Sequence, residues 1–395
     1  MKLFKQGVNI SSSVFDKVDY YRQALRSRQT VIISSVDHAE HIAAYLAWQD
    51  TPGRILVMHP LLSIGDQQHL ASSVDNYQNV DDAVFFHTSG TTGRPKIVQC
   101  GRLQFSIFLA INIKTFQVDS ATKLLNVIPP FTSGFWQHAL PLLCQTGLEL
   151  HVSSLDKLIQ DLSSTDFDVT FWIPNLVDYL QNSQHPMDFN SFRSIQLGGT
   201  IVKNRHFDFL FNNGAKTVGQ CYGSTENGIP TLNRTFAKDD QFYEYVNLVP
   251  LTDGTKFQIQ NQELWMQSPS LCENFKMYDH VDDWRCTGDL WDQQGDLIKF
   301  IGRKDDMVKV NGFQANLLAI ETWFEEHGSG ECSAKVKNIG GSEYIELVHT
   351  RGLTQADQNN LKSQAQDSFP KFSIPAKFTL VDAIPKTALG KKQRH

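Results

Sequence analysis

The stretch Phe85-Phe86-His87-Thr88-Ser89-Gly90-Thr91-Thr92-Gly93-Arg94-Pro95-Lys96 carries the clearest chemistry in the sequence. An apolar run leads into hydroxyl side chains and glycines and closes on a lysine. Hydroxyls, unobstructed backbone N–H groups and an ammonium are the groups that surround polyphosphate oxygens, so Thr88, Ser89, Gly90, Thr91, Thr92, Gly93 and Lys96 read as a phosphate loop. It is not the Gly-Lys-Ser/Thr type, because Arg94 and Pro95 separate Gly93 from Lys96. Leu197-Gly198-Gly199-Thr200 is a second informative string, since a glycine pair at a strand end lets backbone approach a ligand closely.

These segments need a scaffold, and the surrounding patterns describe one. Apolar, β-branched runs at 30–35, 54–59, 83–88, 123–128, 168–173 and 194–197 predict buried strands, and 38–48, 103–116 and 155–162 have helical spacing. The alternation argues for an α/β fold with mostly parallel strands. After residue 232 the pattern shifts to short strands, among them 256–260, 263–267 and 297–301. Past the charged turn Gly302-Arg303-Lys304-Asp305-Asp306, a strand, a helix, two more strands and a helix are traced over 307–369. The expected division is a large domain, 1–302, and a small one, 303–395, with a hinge near Asp305.

With 395 residues, 41% of them hydrophobic, the chain is long enough for two or three domains. Its formal charge of -6 provides no broad basic field for nucleic acid or anionic lipid. Six cysteines are scattered with no CxxC pair, so they read as reduced thiols and not as a metal site. Residues 1–15 are polar and no run is long enough to span a bilayer, which leads to the expectation of a cytoplasmic protein without a transmembrane segment.

Five further strings occur in a telling order: Leu197-Gly198-Gly199-Thr200, Gln220-Cys221-Tyr222-Gly223-Ser224-Thr225-Glu226, Thr287-Gly288-Asp289-Leu290, Gly302-Arg303-Lys304-Asp305-Asp306-Met307-Val308-Lys309-Val310-Asn311-Gly312-Phe313-Gln314 and Pro385-Lys386-Thr387-Ala388-Leu389-Gly390-Lys391. Together with the phosphate loop they resemble the adenylate-forming superfamily of acyl-CoA synthetases, carrier-loading adenylation domains and beetle luciferases. The closest likeness is to stand-alone acyl- or aryl-CoA ligases. The resemblance implies layered β-sheets with helices and a small β-barrel-like part in the large domain, followed by a small mobile α+β domain. It implies that Tyr222 stacks on adenine, beside Gly198, Gly199, Thr200 and Gly223, and that Thr225 bonds the α-phosphate. Glu226, with Thr91, would hold Mg2+. Asp289 and Arg303 would contact ribose, Asp305 would be the hinge, and Gly312 would line a thiol tunnel with Lys309 and Gln314 near the reacting groups. Lys391 would be the catalytic lysine; with an ordinary pKa of about 10.4 it is cationic at neutral pH.

The implied activity is ATP-dependent conversion of a carboxylic acid to acyl-AMP with release of pyrophosphate, then transfer to a thiol. The acceptor is coenzyme A or, as an alternative, the phosphopantetheine of a separate carrier protein. A non-catalytic nucleotide-binding relative is a third reading. The chain departs from the family in three places, one of them Leu317 and Ala319, where proline and glutamate are usual. The segment before residue 84 is shortened, which implies loss of part of the N-terminal subdomain. In Phe131-Thr132-Ser133-Gly134-Phe135-Trp136-Gln137-His138, Thr132 stands where many relatives carry histidine or aspartate. With no carboxylate to pair an ammonium, an α-amino acid is a poor candidate; the acid is expected against Phe131, Thr132, Trp136, His138, Gly198 and Gly223, and Phe135, Trp172, Ile173 and Pro174 with Phe131 and Trp136 suggest an apolar or aromatic lining.

Overall fold

The computed structural model describes residues 2–5, 7–77, 80–88, 95–240, 245–272, 280–281, 283–311, 313–339, 342–386 and 392, with backbone alone at 8, 145, 229, 230, 280, 281, 305 and 314. Ser89, Gly90, Thr91, Thr92, Gly93, Gly312 and Lys391 lie outside the described residues, as do the side chains of Asp305 and Gln314. The chain divides into two compact units. The first comprises Met1–Gln258, Met266–Arg285 and Gln294–Ile298, and the second Ile259–Trp265, Cys286–Gln293 and Lys299–His395.

Two sheets organise the first unit. Val31–Ile33, Arg54–Val57 and Ala83–Thr88 run parallel, and Lys96–Cys100 returns antiparallel with Thr88 opposite Lys96. The phosphate-loop residues therefore connect two neighbouring strands. Strand alternation splits the apolar run between two cores: Val84 and Phe86 join the main core, while Ala83 and Phe85 pack with Leu70 and Val74 of helix Ile64–Val74. The larger sheet has nine strands. Its parallel centre, Thr217–Ser224, Ser194–Leu197, Val169–Trp172, Lys123–Asn126, Glu149–Val152 and Lys2–Lys5, is flanked by antiparallel Gly228–Ala237 and Val249–Pro250 on one edge and Val8–Asn9 on the other.

Several predicted strands end early for local reasons. Val169–Trp172 stops before Ile173 because Pro174 opens helix Pro174–Asn182. Lys123–Asn126 stops where the Asn126 side-chain amide turns back to the Ile128 carbonyl, 3.0 Å away, ahead of Pro129 and Pro130. The polar first residues are structural: Lys2–Lys5 lies parallel to Glu149–Val152, and helix Ser11–Arg26 buries Val14, Val18, Tyr21 and Leu25. That spacing is helical, though diluted by the polar residues around it. No described helix is long and apolar enough to cross a membrane.

A five-stranded sheet contains Lys256–Gln260, Glu263–Gln267, Trp284–Gln294, His280–Val281 and Leu297–Arg303. Within the second unit, Met307–Val310 pairs antiparallel with Phe313–Asn316. This hairpin replaces the single strand expected here, and Asn311, with φ +50, follows its first strand. Helix Leu317–Glu326 and helix Gln355–Ala365 pack with Cys332–Ile339 and Ser342–His349 around Ile320, Phe324, Ala334, Ile345, Leu347 and Leu361.

Candidate active site

In the first unit the candidate residues collect at strand ends. Strand Ser194–Leu197 ends on Gly198, where a Cβ would lie 2.8 Å from the Cys221 carbonyl oxygen, so only glycine allows this approach. Gly199 follows with φ +85, and Gly199 and Thr200 are exposed. The neighbouring strand Thr217–Ser224 shifts register between Tyr222 and Ser224, a bulge that redirects the chain into the Thr225-Glu226 turn. Tyr222 is half-buried.

Neighbours on several sides hold this turn. The Asn227 side chain accepts the Ser224 N–H at 2.6 Å, and the Glu226 carbonyl accepts the Cys272 N–H at 2.8 Å. Thr225 Oγ1 shares a hydrogen bond of 2.7 Å with Ser133 Oγ, and its carbonyl accepts from the Gln137 amide at 3.0 Å. Gln137 is delivered by a π-helical turn, Phe135–Ala139, a local widening that recurs at functional sites. The Glu226 side chain is enclosed, with its residue 5% exposed, yet no hydrogen bond or ion pair reaches its carboxylate among the described residues.

An enclosed carboxylate without a protein cation fits a bound metal ion or a ligand donor. Among the described residues no group of three or more His, Cys, Asp or Glu could cage a metal. Thr88, opposite Lys96 across the hairpin, has a buried Oγ1 with no hydrogen-bond partner.

The segment 131–138 divides its residues between surface and interior. Phe131 is half-buried, its ring 4.2 Å from that of His59 between centroids. The Thr132 hydroxyl donates to the Pro129 carbonyl at 2.8 Å and accepts the Phe135 N–H at 3.3 Å, so it serves the local turn. Trp136 is fully buried and donates its indole N–H to His41 and to the Pro130 carbonyl. His138 is also in the core, Nδ1 against Asn112 Oδ1 at 2.6 Å, and burial holds it down to about 3. Trp136 and His138 are thus packed as core residues, as is Trp172. A surface hollow lined by Asp19, Arg22, Gln23, Arg26, Asp50 and Thr51 contains none of the motif residues.

In the second unit, Thr287 bonds the Leu264 carbonyl at 3.0 Å and accepts the Asp289 N–H at 3.1 Å. Asp289, 4% exposed, meets Arg303 in an ion pair of 3.0 Å, which brings together two residues far apart in sequence. Lys309 is exposed and stands opposite Gln314 across the hairpin. Beside the undescribed Lys391, Lys392 pairs with Glu325 at 2.5 Å and lies 3.6 Å from fully buried Glu321. Burial lowers its affinity for the proton, but the two carboxylates outweigh that and the net shift is upward.

Sequence reasoning missed Ser133 and Gln137 as partners of Thr225, and it missed His59. Ser133 and Gln137 lie within the 131–138 string but carry no sequence signal for that role, His59 lies in none of the strings, and only the fold shows their contacts.

Comparison with known proteins bears on the whole arrangement. Gramicidin S synthase 2 of Aneurinibacillus migulanus is 26% identical over 374 residues, covering 84% of this chain and 8% of that protein. Surfactin synthase subunit 2 of Bacillus subtilis (strain 168) is 27% identical over 376 residues, covering 82% and 10%. The chain thus spans a tenth or less of the length of these curated relatives. O-succinylbenzoate coenzyme A synthetase from Bacillus subtilis, in complex with AMP, superposes with a TM-score of 0.82 at 16% identity, covering 99% of this chain and 94% of that one. ATP-bound MatB from Rhodopseudomonas palustris gives 0.80 at 16% identity, covering 99% and 94%. These structures share the large α/β domain and small second domain of adenylate-forming enzymes, and the family model described as AMP-binding enzyme matches residues 15–264. With more than half of its length matched, the chain belongs to the AMP-binding enzymes of the adenylate-forming superfamily.

Proposed function

We propose that the protein activates a carboxylic acid with ATP and passes the acyl group to a thiol, most simply coenzyme A. The observation that carries this reading is the braced Thr225-Glu226 turn, whose enclosed carboxylate has no partner among the described residues. A carboxylate oxygen of the acid would attack the α-phosphorus as the bond to pyrophosphate breaks, giving a mixed anhydride. The thiol sulfur would then attack the acyl carbon, AMP would depart with the bonding electrons, and the thiol proton would pass to solvent. A free carboxylate resists such attack because its carbonyl carries delocalised negative charge.

In this scheme Thr225, held by Ser133 and Gln137, donates to the α-phosphate, and Thr88 and Lys96 take the outer phosphates. Glu226, with Thr91, would hold Mg2+, which when bound neutralises phosphate charge. Tyr222, Gly198, Gly199, Thr200 and Gly223 form the adenine side. The roles implied for Asp289 and Arg303 on ribose, for Asp305 as hinge, for Gly312, Lys309 and Gln314 at the thiol and for Lys391 in adenylate formation belong to the same proposal and are open to mutation. Support for coenzyme A comes from fold neighbours such as O-succinylbenzoate coenzyme A synthetase. A second reading, a carrier-protein thiol, is favoured by the likeness in sequence to the gramicidin S and surfactin synthases.

The acid is proposed to be apolar or aromatic and not an α-amino acid, because 131–138 contains no carboxylate and the Thr132 hydroxyl is engaged locally. ATP–pyrophosphate exchange across a panel of fatty, aryl, hydroxy and amino acids tests the first step, with exchange expected for at least one of the first three classes. Thioester formation with coenzyme A against a phosphopantetheinylated carrier separates the two acceptors. No exchange with any acid would defeat the proposal.

A further inference from the structure

His59 belongs to no motif, yet its surroundings are those of a ligand contact. It follows strand Arg54–Val57 and is 6% exposed. Its Nδ1 accepts the Leu61 N–H at 3.0 Å, so the ring proton resides on Nε2. That Nε2 is buried and has no hydrogen-bond partner among the described residues. Burial depresses the affinity of the ring for a second proton, which favours a neutral imidazole with one donor left unused among the described residues.

A second orphan lies on the adjacent strand. Arg54–Val57 is the parallel neighbour of Ala83–Thr88, and the His59 N–H is held by His87 Nε2 at 3.2 Å, which draws the two strand ends together. Thr88, next after His87, has a buried Oγ1 with no partner. Phe131 packs on His59 at an interplanar angle of 60°. An N–H and a hydroxyl, both buried and without a partner among the described residues, thus stand at the ends of two neighbouring strands, where the phosphate-loop residues begin.

We propose that His59 is a binding residue for polyphosphate, its Nε2–H donating to a β- or γ-phosphoryl oxygen of ATP alongside Thr88. This rests on the nucleotide-binding reading given above and assigns to it a side chain from outside every motif. Anionic oxygens suit these atoms because a hydrogen bond to a charged acceptor is about twice as strong as a neutral one. An apolar acid chain at the same place would leave the N–H buried and unsatisfied, which is costly. Pyrophosphate leaves with the first chemical step, so His59 would act on adenylate formation and have no part in thiol transfer.

The test is titration calorimetry of the full chain with AMP, ATP and inorganic pyrophosphate, each with Mg2+. His59→Phe keeps the ring volume and removes the donor. It is expected to weaken ATP and pyrophosphate about tenfold while moving AMP less than about twofold, and His59→Gln, which restores an N–H, should recover part of the loss. Equal weakening of AMP would mean a structural role and would overturn the inference, as would unchanged affinity for all three. Should His59→Phe fail to fold, His59→Leu, which also removes the donor, reads the same difference, with the same outcomes deciding. A wild-type chain that binds none of the three would remove the nucleotide-binding reading itself, whereas normal wild-type binding with no differential in the variants removes His59 alone.

Discussion

In the first unit, groups expected to meet a ligand are enclosed with no partner among the described residues: Thr88 Oγ1 and His59 Nε2, with the Glu226 carboxylate 5% exposed and likewise without a hydrogen bond or ion pair among them. In the second unit, charged groups of the matching motifs are paired with one another, Asp289 with Arg303, Lys304 with Glu263, and Lys392 with Glu321 and Glu325. Leaving a buried polar group unsatisfied costs about 1–3 kcal/mol, so such groups persist where a ligand supplies the missing partner. Of these pairs the half-exposed Lys304–Glu263 contributes only about 0–1 kcal/mol, whereas removing one partner of an enclosed pair leaves a buried charge unpaired. The contrast separates enclosed groups without a partner among the described residues from charged groups that fasten the chain.

The largest expected effect is on acid stability. In the first unit burial holds His38 and His41 down to about 4 and His138 to about 3. Below about pH 6.5 the unfolded chain takes up protons that these rings refuse when folded, so stability rises with pH in this window and is lost as pH falls toward 4, on the order of 2 kcal/mol per ring at pH 5. In the second unit Glu263 and Glu346 are lowered from 4.5, so their contribution is complete above that value and disappears only below it. Hydrogen exchange corrected for intrinsic rates should therefore show the first unit loosening between pH 7 and 5 while the second holds. The reverse order would break the comparison.

Glu226→Gln should lower acid-dependent ATP–pyrophosphate exchange by at least about a hundredfold while leaving the melting temperature unchanged or raised, since it removes an enclosed charge. A large loss of stability would show that the carboxylate already has a protein partner. Lys392→Met should cost the second unit about 2 kcal/mol, read from denaturant unfolding, because Glu321 loses its cation in a buried setting. The paired change Lys392→Met with Glu321→Gln should restore much of it, and AMP affinity should be unaffected. The smallest effect is expected from Ser133→Ala, about 1 kcal/mol or a fivefold fall in exchange with normal stability, from loss of the hydrogen bond to Thr225. Unaltered exchange would remove Ser133 from the site.

Legibility in the sequence followed the range of the interactions. Strands Ala83–Thr88, Ser194–Leu197, Lys256–Gln260 and Glu263–Gln267 begin and end where their apolar and β-branched runs do. The hairpin at Asn311 and the Ser11–Arg26 helix carried local signals too, but charged and polar neighbours masked them. Aromatic composition misled at Trp136 and Trp172: ring-bearing side chains beside strand ends suit a pocket wall and a core equally, and here they are core.

The order of the motifs, the loop chemistry of residues 88–96 and the α/β alternation were determined by sequence alone, because each depends on neighbours within a few positions. Tertiary structure decided that Ser133 and Gln137 brace Thr225, that Asp289 meets Arg303, and that His59 lies against Phe131 with its N–H on His87. Those contacts depend on how strands align and where their ends converge, which is governed by packing of residues distant in the chain and leaves no periodic trace in the order of amino acids.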